Sequence, residues 1–222
     1  MTVLKHLSVF ETIKSRRSTG KMTEQRPARK QIERILEAAT HAPNHHKVEP
    51  WKFFVLAGRA REELGTAMAE ALAARLDETG TANAQALLNK ERNKLLRSPV
   101  VIVVAAEQPK QPKVLKIENI EATAAAVQNM LLTAEEMGLA GMWRTGDAAY
   151  DPLVKQWLGL TPEDHQQSGH AHRGGWHQYA FLRHWCHIPE HTLHLLSERA
   201  VCQIYGRAQN HSSTGKLKVR RK

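Results

Sequence analysis

The chain predicts a fold of mixed helices and strands, and three features of the sequence carry that expectation. Short apolar runs rich in β-branched residues recur at 51–56, 99–106 and 139–145. Alanine-rich or amphipathic stretches of helical spacing separate them. Acidic and basic residues are interspersed through the first 164 residues, as on a solvated globular surface.

Each element has a local reason. Phe10 and Ile13 share one face of a first helix that ends near Ser15. After Pro27, Ile32, Ile35, Leu36 and Ala39 fall at i, i+3, i+4 and i+7, the spacing of one buried stripe, and Ala42-Pro43 stops that helix. Trp51 to Leu56 reads as a buried strand. Ala60 to Glu78 has strong helix propensity, with Leu64, Met68, Ala71 and Leu72 on one face. Asn83 to Arg97 reads as a further helix with Lys and Arg on its polar side. Pro99 to Ala106 is the clearest strand of the chain. Glu118 to Met137 is a long alanine-rich helix fit for burial on several sides, closed by Gly138 at C′. Leu139 to Thr145 gives a third strand, and Asp151 as N-cap with Pro152 at N1 opens a short helix to Leu158.

Composition narrows the function classes. A chain of 222 residues, 41% apolar, makes one domain able to bury roughly two thirds of its unfolded surface. No run of 18 apolar residues is present and the first 14 residues lack the apolar core of a secretory signal. Cys186 and Cys202 form neither a C-x-x-C pair nor a disulfide framework. The expected setting is therefore the cytoplasm, with no membrane partner. The net charge of +10 divides unevenly: residues 165–222 hold nine Lys and Arg against two acids, +7, which leaves 23 against 20, +3, for residues 1–164. The texture changes at the same place. From His165 onward come nine of the thirteen histidines, both cysteines and no Asp. The expected organisation is a domain over residues 1–164 and an atypical His-rich basic segment over 165–222, ending in a disordered tail from Asn210.

Four constellations bear chemistry. Ser15-Arg16-Arg17-Ser18 ends the first helix, and two guanidiniums with a hydroxyl can fork onto a phosphate; cations also favour a helix C-terminus for its dipole alone. Ala42 to Trp51 is a polar loop in which Asn44 and His45 offer directed hydrogen bonds to a heterocycle, or else simply a polar turn. His45-His46 is a poor metal site, because neighbouring side chains should diverge. Gly141-Met142-Trp143-Arg144-Thr145-Gly146 closes the third strand, where ligands of open sheets gather. The fourth, His170-x-His172, His184-Trp185-Cys186-His187 and His191-x-x-His194, has soft and borderline ligands but no structural zinc spacing, so no metal site is assigned. Dinucleotide, P-loop, zincin and nucleophile-elbow motifs are absent.

In order and spacing, R-R-S at residues 16–18, the stripe I-x-x-I-L, A-P-N-H…P-W at 42–51 and G-M-W-R-T-G at 141–146 resemble the FMN-dependent nitroreductase family. The similarity runs from about residue 8 to 164 and is strongest to its small NAD(P)H nitroreductases with a W-R-S or W-R-T motif. The resemblance implies an α+β, three-layer sandwich, with a mixed, mainly antiparallel sheet flanked by helices. It implies a homodimer holding two FMN in its interface, NADH or NADPH as electron donor, and a small electron-poor acceptor such as a nitroaromatic or quinone in ping-pong exchange. The flavin N5 would carry the chemistry, so no catalytic side chain is expected. Cofactor contacts would come from Arg16, Arg17, Ser18, His41, His45, Trp143, Arg144 and Thr145.

Two departures stand out. Glu49 occupies the place where the family often has Gln, and a carboxylate there would oppose a negative reduced flavin unless it points away or pairs with Lys47. After Asp164 the family's apolar strand with its Gly and Pro is missing; Tyr179 to Leu182 is the nearest apolar run. The coincidence of that loss with the change of texture suggests that residues 165–222 are read out of the ancestral frame, which would leave the sheet short of a strand. Two competing readings follow: a degenerate descendant with impaired FMN binding, and a binder of nucleic acid or other anions through the basic segment. The segment matches no nucleic-acid module, which argues against that last partner.

Overall fold

Residues 8–160 and two later strands, 177–183 and 202–205, are described by a computed structural model. The readings of the histidine-rich stretch and of the tail from Asn210 otherwise lie outside the described residues.

Three of the described helices begin at side-chain caps, Ser8, Thr81 and Asp151. Helix α1, Val9–Ser15, opens with a capping box: the Ser8 hydroxyl accepts from the Glu11 amide at 3.2 Å, and the Glu11 carboxylate accepts from the Ser8 amide at 2.8 Å. Helix α2, Arg29–Thr40, buries Ile35, Leu36 and Ala39. Helices α3, Arg59–Ala73, and α4, Ala82–Arg92, follow strand β1, Trp51–Ala57. After strand β2, Val100–Ala106, comes α5, Lys116–Glu136, whose C′ residue Gly138 takes φ 71°, a value natural to glycine. Strand β3, Ala140–Arg144, leads to α6, Pro152–Trp157, where the Asp151 carboxylate accepts from the Leu153 amide at 2.9 Å.

Two helices are shorter than composition suggests. The alanine-rich reading to Glu78 stops at Ala73, and beyond it Arg75 folds back so that its Nε donates to the Ala71 carbonyl at 3.1 Å. The reading of 83–97 as one helix breaks at Asn93, whose side-chain amide donates to the Asn89 carbonyl at 2.8 Å, and a 3-10 turn over Lys94–Arg97 follows. The break has a tertiary cause. A Cβ on Gly65 of α3 would lie 2.1 Å from the Arg92 carbonyl oxygen, so the end of α4 rests directly on bare helix backbone.

The sheet has the order β3-β4-β2-β1-β5, in which β4 is His177–Arg183 and β5 is Cys202–Tyr205. Every strand pairing is antiparallel, from Trp51 opposite Ala106 to Ala57 opposite Val100 in the central pair. Among the described residues one parallel bridge, Ser18 to Gly141, adds the mixed character. The period-two alternation divides the core. Phe53, Ile102 and Val104 meet α2 and α5 on one face; Phe54, Leu56, Val101 and Val103 meet α3 and α6 on the other. Strand β2 is buried at nearly every position because helices cover both sides of it. The result is a three-layer sandwich.

The expectation of a sheet short of a strand is corrected here. β4 pairs with β2 from Val100–Leu182 to Ala105–His177, and with β3 from Ala140–Arg183 to Arg144–Tyr179. A ladder is made by backbone groups, so a run without the family's Gly and Pro can still fill the place.

Candidate functional site

The first and third constellations are joined by backbone. α1 ends at Ser15, and the chain then runs beside β3: Ser18 bridges Gly141, and the Thr19 amide donates to the Gly141 carbonyl at 3.2 Å. The Arg17 guanidinium turns back and donates through Nη1 to the carbonyls of Lys14, Ser15 and Arg16 at 2.6, 3.1 and 3.0 Å. It caps the negative end of α1. Arg16 is half-buried, and Arg17 and Ser18 are exposed.

Strand alternation then sorts the third motif. Met142 and Arg144 face a half-open cleft, whereas Trp143 packs against the α2 and α5 core. The cleft floor is Met22, Met68, Leu95 and Met142; its rim carries Lys94, Arg97, Arg144 and Thr145. Lys94 is held by Glu91 at 2.9 Å. Arg144 Nε donates to the Met142 sulfur at 3.0 Å, a weak acceptor that an oxyanion would displace. The 3-10 turn after α4 brings Lys94 and Arg97 there. Sequence reasoning missed both, because the 83–97 stretch looked like one continuous helix. The basic pair around Leu95-Leu96 was the available signal.

The second constellation lies elsewhere. His41 is the exposed C-cap of α2, and neither it nor His45 lines the cleft. The loop from Asn44 is backbone-strained: His46, Lys47 and Glu49 have φ of 55°, 52° and 48°. Asn44 braces it, its side-chain oxygen accepting from the Glu49 amide at 2.9 Å. His45 Nδ1 lies 3.0 Å from Glu118 Oε1 at the start of α5. The His45 hydrogen bond is the chief reason the Glu118 carboxyl sits below its usual range. The expected divergence of His45 and His46 is also corrected: the rings stack at 3.9 Å, 16° from parallel, because the left-handed His46 doubles the chain back. Stacked rings still do not converge on a metal, and among the described residues no group of three His, Cys, Asp or Glu gathers.

At the far end of the central strand pair Glu107 takes Lys52 at 2.8 Å and Lys110 at 3.1 Å. Burial pushes its carboxyl upward, but the two ammonium groups outweigh that and hold it below the usual range.

With this geometry in view, comparison with known proteins is informative. The profile of the Nitroreductase family matches residues 13–174. The chain belongs to the nitroreductase family. The Escherichia coli (strain K12) protein named "Putative NAD(P)H nitroreductase YdjA" is 31% identical over 159 residues, covering 71% of this chain and 83% of that protein. Among solved nitroreductase folds, the nitroreductase-like family protein from Bacillus cereus aligns over 95% of both chains with a TM-score of 0.63 and 27% identity. A nitroreductase with bound FMN from Bacteroides fragilis aligns over 81% of this chain and 89% of its own, with a TM-score of 0.58 and 25% identity. The nitroreductase family thus accounts for the α+β sandwich, and its match runs ten residues past the change of texture at 164.

Proposed function

We propose that this chain is an FMN-dependent oxidoreductase that takes electrons from NADH or NADPH and acts as a homodimer in the cytoplasm. The observation that carries the reading is the Ser18–Gly141 bridge, which sets Arg16 to Ser18 alongside the strand that ends in Arg144 and Thr145 at the cleft rim. The donor set fits the cofactor: guanidiniums and a hydroxyl suit a phosphate, and a cleft floored by three methionines suits a flat heterocycle.

Bound there, FMN would accept a hydride from the nicotinamide and pass it, in ping-pong fashion, to an electron-poor acceptor such as a nitroaromatic or quinone. The side chains would bind and orient. Arg16, Arg17 and Ser18 would hold the phosphate end, with Arg17 released from the α1 carbonyls. Arg144, Thr145, Lys94 and Arg97 would supply positive potential where the reduced cofactor gathers negative charge. Trp143 would support the strand end from the core side. His41 and His45, remote from the cleft of their own chain, would reach the cofactor of the partner. That role is supported by an uncovered apolar stripe on α1, where Val9, Phe10 and Ile13 are 75%, 71% and 51% exposed.

The test is the visible absorbance of purified protein before and after adding FMN, with elution size recorded. Two flavin bands co-eluting with a dimer support the reading. A colourless protein that refuses FMN overturns it in favour of a degenerate descendant. The boundary near residue 164, and a frame change behind it, remain part of the proposal; recovery of a Gly-containing apolar strand in another frame of the gene is its test.

A further inference from the structure

The ion pair between His45 and Glu118 is poorly explained by stability. Its side chains are 58% and 28% exposed, and surface pairs of this kind contribute little to folding. Its geometry is more telling. The segment that carries His45 is a single 3-10 turn, His45–Lys47, broken by left-handed residues at 46, 47 and 49, so no regular helix fixes the direction of the imidazole. Two contacts do so instead. Glu118 Oε1 takes Nδ1 at 3.0 Å, and the His46 ring covers one face at 3.9 Å. Glu118 is itself anchored, since its other oxygen accepts the Leu115 amide at 3.4 Å at the start of α5.

We propose that Glu118 is a positioning residue for cofactor binding: it holds the proton of His45 on Nδ1 and so presents Nε2 outward from the loop. Which ring nitrogen carries the proton is set by the hydrogen bonds the ring makes, and a carboxylate can only accept, so the nitrogen facing it holds the proton. With Nδ1–H committed to the carboxylate, Nε2 is the atom turned to the flavin, as acceptor when the ring is neutral and as donor when it is charged. The inference rests on the reading of His45 as a cofactor contact.

The experiment uses the full-length protein and two independent readouts. The first is the ¹⁵N spectrum of His45 without FMN. Wild type and Glu118→Gln keep the proton on Nδ1, because the glutamine oxygen still accepts. Glu118→Ala moves it to Nε2, the form free imidazole favours. The second is the FMN dissociation constant. Glu118→Ala weakens binding about 5- to 10-fold, Glu118→Gln restores most of that loss, and adding Glu118→Ala to His45→Ala costs nothing further. An unchanged His45 tautomer in Glu118→Ala overturns the proposal, as do additive losses in the double variant. If His45→Ala alone binds FMN as wild type does, it is the cofactor role of His45 that fails.

Discussion

Glu107 gathers two ammonium groups, Lys52 and Lys110, at the end of the central strand pair. Its carboxyl is lowered in the folded chain, so its stabilising effect is present above the unfolded value near 4.5 and is lost as pH falls through the folded value. Glu107→Gln should therefore cost about 1 kcal/mol at neutral pH and progressively less as pH falls below the unfolded value, a trend read by urea unfolding at pH 7 and at successively lower pH. Arg144 makes the opposite case. Resting on a sulfur, it contributes little to folding, and Arg144→Ala should leave the melting temperature unchanged while weakening FMN about 10- to 100-fold, read by flavin fluorescence titration. Such roles were partly legible: Arg144 stood in a motif, whereas Glu107 looked like any surface acid. What the sequence hid was partnership, since Lys52 lies 55 positions away and meets Glu107 through the β1–β2 ladder.

At the scale of elements, caps and periodicity were good guides and lengths were not. Asp151-Pro152 starts α6 where the local rule puts it, and β1 and β2 occupy their apolar runs. The end of α4 could not be read, because it is decided by the bare backbone of Gly65, remote in sequence. That contact makes Gly65→Ala costly: the methyl meets a carbonyl at 2.1 Å, and the overpacking should outweigh alanine's better helix propensity by about 1–3 kcal/mol. Thermal unfolding should show a drop of several degrees; an equal or higher melting temperature would mean that α3 and α4 separate freely. The same change should loosen the turn that carries Lys94 and Arg97, so FMN affinity should fall with stability. β5 was the least legible strand, since nothing in its four residues announces a partner as far back as Lys52 to Val55, whereas β4 showed at least the short apolar run Tyr179 to Leu182.

For the whole molecule, the uncovered stripe of α1 is the most consequential surface. Val9, Phe10 and Ile13 expose apolar area that a second copy would bury. Phe10→Asp with Ile13→Asp should give a monomer by analytical ultracentrifugation, remove the protein-concentration dependence of the melting temperature and reduce FMN affinity, since the His45 loop would lose its place beside the other cleft. A variant that stays dimeric would move the interface elsewhere.

The sheet order also sets a schedule for synthesis. β2 and β3 leave the ribosome well before residues 177–183, yet within the sheet it is that later strand that hydrogen-bonds to both. Until it arrives, the β1–β2 pair can form with α2 and α5 against it, but the strand that ends in Arg144 has no ladder to join. The half-built nascent chain therefore holds a core in which β3 is tied by the Ser18–Gly141 bridge and by α5 but is not yet laddered to the sheet. A stop codon at position 165 would freeze that condition: the segment whose sequence looks least like the family supplies the strand that joins β3 to β2.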